Sequence, residues 1–158
     1  MTKRPTKLDK EILEPAMKEL YTKHLAKLDD FGEEDEAIDS LIKSYHQDAY
    51  DFAKALDYDG WIVDFPLCEA LDNGWSILDK HYKQALEQWF INNPIQPYTV
   101  GTKVVVTRPY SSVKGKKCII TSFKENTGEY TVREEEKYKQ GDSGGYVLNH
   151  EDLQIVNG

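Results

Sequence analysis

Residues 101–124 read GTKVVVTRPYSSVKGKKCIITSFK. Lys103-Val104-Val105-Val106-Thr107 alternates toward a turn at Arg108-Pro109-Tyr110, and the basic stretch Lys114-Gly115-Lys116-Lys117 leads into the apolar run Cys118-Ile119-Ile120. Alternation followed by turn residues and a β-branched run is the pattern of strand, loop, strand. The same 24 residues hold six basic side chains and no acidic one, in a chain whose net charge is −8. Downstream, β character recurs at 117–123, 129–133, 145–149 and 153–156. Asn126-Thr127-Gly128 is a hairpin turn between two of these segments.

Upstream the period changes from two to 3.6. A first helix is predicted over about 8–28, with Leu13, Met17, Leu20, His24 and Leu28 on one face. Pro15 falls near its start or marks a kink, and Asp29-Asp30-Phe31-Gly32 breaks it. A second helix spans roughly 33–56, its face Ile38, Leu41, Ile42, Tyr45, Ala49, Phe52, Ala53 and Leu56. Glu33, Glu34, Asp35 and Glu36 fall in its first turn, where the helix dipole favours them. Asp57-Tyr58-Asp59-Gly60 is a turn. A third helix starts near Pro66 with Asp64 as cap, and its stripe is Leu67, Leu71, Trp75, Leu78, Tyr82, Leu86 and Trp89. The phase survives Asn73-Gly74, which reads as one helix carrying a glycine that admits a close neighbour. Trp75 and Leu78 are expected in the core.

The fold class is therefore α+β. An acidic helical domain of three main helices over 1–93 is followed by a small β-barrel over 98–158, with Asn92-Asn93-Pro94-Ile95-Gln96-Pro97 as the stiff linker. Three Trp, ten Tyr and five Phe supply bulk for a core. Cys68 and Cys118 are fifty residues apart and fit no paired spacing, the pattern of a reduced cytoplasmic protein. No stretch has signal-peptide or membrane-spanning length, so no membrane partner is expected.

The C-terminal sixty residues resemble a KOW-type SH3-like barrel. Gly101 stands before the first strand, Val104 and Val106 alternate within it, Lys114-Gly115 lies in the loop and Ile120 in the second strand. Glu151-Asp152-Leu153-Gln154-Ile155 is similar to the last short strand. Cys118 stands where such barrels carry a glycine, and Ser111-Ser112-Val113 lengthens the loop. The resemblance implies that Arg108, Lys114, Lys116 and Lys117 occupy a loop turned toward RNA or a ribosomal or polymerase partner. Clustered Lys and Arg release counterions from phosphate, and Tyr110 offers a ring for a base to stack on. The plain alternative is that polar loop lysines keep a barrel soluble.

Gly141-Asp142-Ser143-Gly144-Gly145 spells the string around the nucleophile of chymotrypsin-like proteases. That family places a two-barrel body before the serine. Here everything before Gly101 reads as helical, so a glycine-rich loop between strands is expected and no catalytic residue is assigned. Asp57-Tyr58-Asp59-Gly60 hints at a calcium loop, but Ala55 and Pro66 stand at its first and twelfth positions. The histidines show no i,i+4 pair and neither cysteine has a ligand-spaced partner. No metal, cofactor, small-molecule substrate or enzymatic activity is expected.

Charge is the second informative feature. Residues 1–100 sum to −9, and residues 44–79 hold eight acids against one base, Lys54. Helix surfaces ordinarily mix signs, because i,i+4 pairs help them. A single-sign surface repels itself and attracts partners of opposite charge. Asp48, Asp51, Asp57, Asp59, Asp64, Glu69 and Asp72 are the candidate partner-binding face, and a basic protein surface, such as one that normally holds nucleic acid, is its natural target. The expectation is a non-enzymatic inhibitor or adaptor; by analogy, viral proteins directed at host machinery are of this kind. The alternative is an RNA- or ribosome-associated protein that uses the basic loop. In a third arrangement the two patches dock on each other within one chain.

Overall fold

The computed structural model describes residues 3–28 and 33–156. The chain is mixed helix and sheet, and it divides into two compact units, Met1–Trp89 and Phe90–Gly158. The helix break expected at residues 29–32 lies outside the described residues.

In the first unit α1 spans Lys10–Leu20. Asp9 precedes it in extended conformation and folds its carboxylate back onto the backbone N–H and hydroxyl of Thr6, each at 2.8 Å. Pro15 lies inside α1 rather than at its start. Tyr21–Leu25 continues α1 as a π-helical turn, closed by the Ala26 N–H donating to the Tyr21 carbonyl at 2.9 Å. Each π bond spans one residue more than an α bond, so the buried face is reset. Leu13, Met17 and Leu20 are buried as the spacing predicts. After the reset, Leu25 goes inward, His24 is half-buried and Leu28 is exposed.

The helix predicted over 33–56 is two helices, α2 (Glu34–Ser44) and α3 (Ala49–Tyr58). Asp48 divides them. Its carboxylate accepts from the N–H groups of Tyr50 and Asp51 at 2.9 and 3.1 Å, so it serves as an N-cap and not as a mid-helix residue. Tyr45, in the break, sets its ring against Phe52 at 5.6 Å and Trp75 at 5.9 Å. Ala49 is exposed at the first position of α3. The third predicted helix is likewise divided, into α4 (Phe65–Leu71) and α5 (Asn73–Asn92). The Asn73 side-chain amide donates to the Glu69 and Ala70 carbonyls at 3.3 and 3.1 Å, competing with the backbone at the junction. Gly74 is buried, and a Cβ placed there would lie 3.3 Å from Leu20 Cδ2, so the glycine does admit α1 closely. Leu78 is fully buried; Trp75 is only half-buried against Tyr45.

The second unit contains a five-stranded antiparallel sheet: β1 Lys103–Val106, β2 Lys117–Lys124, β3 Glu129–Glu134, β4 Tyr146–Asn149 and β5 Leu153–Ile155, in the order β4-β3-β2-β1-β5. All five lie within a residue or two of the predicted segments. Alternation sends Val104, Val106, Tyr130 and Val132 into one core with Ile120, Leu148 and Leu153. Between β2 and β3 the chain turns at Gly128, whose φ is +61° and whose N–H donates to the Lys124 carbonyl at 2.7 Å. The pairing slips between Ile120 and Ser122, and the Thr121 hydroxyl donates across the irregularity to the Thr131 carbonyl at 3.1 Å. A 3-10 turn at His150–Asp152 returns the chain to pair β5 with β1, Val104 opposite Ile155.

Candidate interaction surfaces

The seven acids of the candidate face lie on α3, the α3–α4 connection, α4 and Asp72 just beyond it, and all are exposed. Some also hold the fold. Asp48 caps α3, and Asp64 caps α4 by accepting from the Leu67 N–H at 3.0 Å. Asp59 accepts from the Ser40 hydroxyl, which in turn accepts from Trp61 Nε1 at 2.7 Å. Gly60, at φ +97°, closes α3 so that the Trp61 N–H reaches the Leu56 carbonyl at 3.0 Å. The Asp57-to-Gly60 turn is thus a helix terminus that carries Trp61 into the core. The side chains of Asp51, Asp57, Glu69 and Asp72 make no such hydrogen bond among the described residues.

None of the seven has a Lys, Arg or His within ion-pair distance among the described residues. Other acids of the same unit, Asp9, Glu14, Glu19 and Asp79, do meet a cation. Glu19 meets Lys23 at 2.7 Å, His81 at 2.7 Å and Lys80 at 3.1 Å, and these donors pull its carboxyl down to about 2. Asp79 meets Lys7 at 2.9 Å and Lys83 at 2.7 Å, and its pKa is lowered by the Lys83 bond first and the Lys7 bond second.

The surface around these acids is not purely polar. Tyr50, Tyr58, Ile62 and Phe65 are largely exposed, interleaved with Asp51, Asp57, Asp59 and Asp64. Sequence reasoning passed over them because they lie off the apolar stripes it traced: Tyr50, Tyr58 and Phe65 are exposed positions of α3 and α4, and Ile62 lies between the two helices. The alternation of Asp with aromatic and aliphatic residues in DYDGWIVDF is the signal that was there to read. Beside Tyr58 a shallow groove of about 560 Å³ opens between α2 and α3. Lys43, His46 and Lys54 line it together with Asp51 and Asp59, so it is mixed in sign.

The basic loop, residues 107–116, is built from successive turns. It is pinned by Val113, which is fully buried, and by the Gly115 N–H donating to the Val106 carbonyl at 2.8 Å. Much of its charge is met within the sheet unit. Lys116 donates to Glu134 at 2.8 Å, and Glu134 also receives Lys137 at 2.7 Å and the Tyr146 hydroxyl at 3.2 Å. The lysines hold the Glu134 carboxyl at about 2, Lys116 contributing most. Arg108 lies 4.0 Å from Asp152. Lys114 and Lys117 make no ion pair among the described residues. Tyr110 stands fully exposed with φ +61°, the only non-glycine in the left-handed region among the described residues. That conformation costs a side-chain-bearing residue about 1–2 kcal/mol.

The Gly141-to-Gly145 string has a local structural use. Asp142 accepts from the Lys139 N–H at 2.8 Å and pairs with Arg133 Nε at 3.3 Å. Gly145 lies against the Val132 carbonyl, where a Cβ would come within 2.1 Å of the oxygen. Ser143 is exposed, and no histidine hydrogen-bonds to it among the described residues. His150 instead stacks on Tyr98 at 4.5 Å and meets the Tyr130 hydroxyl at 3.2 Å. The described residues hold no group of three or more His, Cys, Asp or Glu able to bind a metal ion, and no described helix is long and apolar enough to cross a membrane.

Compared with protein-family models, curated protein sequences and solved structures, the chain matches none.

Proposed function

We propose that the chain is a non-enzymatic binding protein, an inhibitor or adaptor, that engages a basic protein surface through the acids of α3 and α4. The observation that carries this reading is the contrast in pairing. Among the described residues the seven acids have no ionic partner, whereas Lys116 and Arg108 of the basic loop face acids of their own unit. Exposed charge left without partners attracts an opposite surface over a Debye length of about 8 Å at physiological salt and raises the rate of encounter. The second unit is read as a KOW-type SH3-like barrel. Support comes from the last strand returning to pair with the first and from the 3-10 turn that precedes it.

The test spares the acids that hold the fold. Asp51, Asp57, Glu69 and Asp72 are changed to Asn or Gln, and proteins captured from native lysate by the two forms are compared by mass spectrometry. A basic protein held by the parent chain should associate about tenfold more slowly with the variant at low salt, since steering spans 10–1,000-fold. An unchanged association rate refutes the proposal.

A second reading rests on Tyr110. A fully exposed ring in a costly backbone conformation, on the loop that carries Lys114 and leads into Lys117, suits a base stacked on tyrosine with phosphates on the lysines. Binding of single-stranded RNA that falls steeply with salt and is lost in Lys114→Gln/Lys117→Gln supports it. RNA binding unaffected by those changes and by Tyr110→Ser refutes it.

A further inference from the structure

The acids alone attract any cation, yet the surface they share is more selective than charge. Tyr58, Ile62 and Phe65 are 96, 79 and 78 % exposed within eight residues of chain. The core does not call on them, because Trp61, Leu67, Ala70 and Leu71 from the same stretch fill the inward positions. Large apolar side chains clustered on a surface mark interaction sites more often than they occur by chance. Here they are spaced by Asp57, Asp59 and Asp64, and residues 57–72 contain no Lys, Arg or His.

We propose that the Tyr58–Ile62–Phe65 surface is a docking site for an arginine-rich protein segment. This rests on the acidic-face reading and names the chemistry of its partner. A guanidinium is planar and weakly hydrated. It lies flat on an aromatic ring while its edge donates two parallel hydrogen bonds to a carboxylate. Alternating Asp with Tyr and Phe presents both halves of that recognition. A lysine ammonium is a hydrated point charge that gains the Coulomb attraction but little of the stacking. Ile62 supplies an apolar contact for the aliphatic stem of a bound arginine. Charge complementarity favours a cationic occupant over a polyanion: every titratable group exposed on 57–72, the Cys68 and Tyr58 side chains apart, is a carboxylate, and the bases nearby, Lys43, His46 and Lys54, line the groove beside Tyr58.

The test uses the full chain and two labelled peptides of equal length and charge, one carrying arginine at each cationic position and the other lysine. Fluorescence anisotropy at low and at physiological salt should show the arginine peptide binding about fivefold more tightly, the increment expected of stacking on two rings. The Tyr58→Ser/Phe65→Ser double variant should lose about tenfold in arginine-peptide affinity and with it the preference, with an unchanged unfolding midpoint because both rings are exposed. Ile62→Ser is a second probe, outside both helices, should the double variant be unstable. Equal affinity for the two peptides, undiminished by either variant, overturns the arginine site and leaves the charge-based reading standing. Binding of neither peptide at low salt overturns both.

Discussion

Gly144 and Gly145 are adjacent in sequence, yet the structure makes opposite demands on them. An alanine Cβ at Gly144 would find Arg133 Nη1 at 3.9 Å, an ordinary contact with the far end of a flexible side chain. At Gly145 it would sit 2.1 Å from the Val132 carbonyl oxygen and 2.8 Å from its carbon, where ordinary contact begins at 3.4 Å. Val132 cannot retreat cheaply. It is fully buried, and its backbone pairs with Ile120 of β2 on one side and Tyr146 of β4 on the other. Relief therefore requires opening the end of the β3–β4 ladder. Losing two ladder hydrogen bonds at roughly 1 kcal/mol each, together with part of the packing at this edge, puts Gly145→Ala at about 2–4 kcal/mol. Gly144→Ala should stay within about 0.5 kcal/mol of the parent. Urea unfolding measures both. Trp61, Trp75 and Trp89 all lie in the first unit, so the loss belongs in the tyrosine and far-ultraviolet circular dichroism signals rather than in indole emission. A Gly145→Ala variant as stable as the parent, or a Gly144→Ala variant equally damaged, would refute the claim that this string is held by one close backbone approach.

Three further outcomes are expected. Leu25→Ala should cost about 2–5 kcal/mol and Leu28→Ala within about 0.5, because the π turn buries the first and not the second; equal costs from urea melts would restore an unbroken α-helical face. Glu19 is held near 2 against an ordinary 4.5, so its ion pairs stabilise the helical unit fully above about pH 4.5 and that contribution fades as pH falls toward 2. Glu19→Gln should flatten the stability profile across this window, and a profile indistinguishable from the parent's would contradict the assignment. Ser143→Ala should leave fold and partner binding unchanged, and a serine-reactive phosphonate should not label the parent chain; specific labelling at Ser143 would reopen hydrolysis.

The sheet was legible because alternation is a local signal. Each strand carries its own inward residues, and Gly128 and Gly145 mark positions where only backbone freedom or the lack of a side chain suffices. The helices were legible in kind but not in number, since Asp48 and Asn73 act through side-chain hydrogen bonds that hydrophobic phase does not register. The move from His24 to Leu25 was invisible for a related reason: a π turn leaves composition untouched and changes only the count. The acids of the candidate face could be named from charge alone. Asp64 could also be named as a helix cap, and it is one; that Asp48 caps a helix, and which acids have apolar neighbours exposed beside them, depended on a helix break and on burial that the hydrophobic pattern does not encode.

The π turn at Tyr21–Leu25 holds one residue more than an α-helix needs to reach the same inward position. Leu20 and Leu25 are both fully buried, five residues apart, where an unbroken α-helix would bring position 24 to the core. Removing a single residue such as Thr22, which is exposed, would move the leucine to that position and let the helix run straight with its core contact kept. A deletion in the middle of α1, by contrast, would rotate every later side chain by roughly 100° off the buried face. The segment therefore acts as slack in the chain, a site where length can change while side-chain identity on the core face does not.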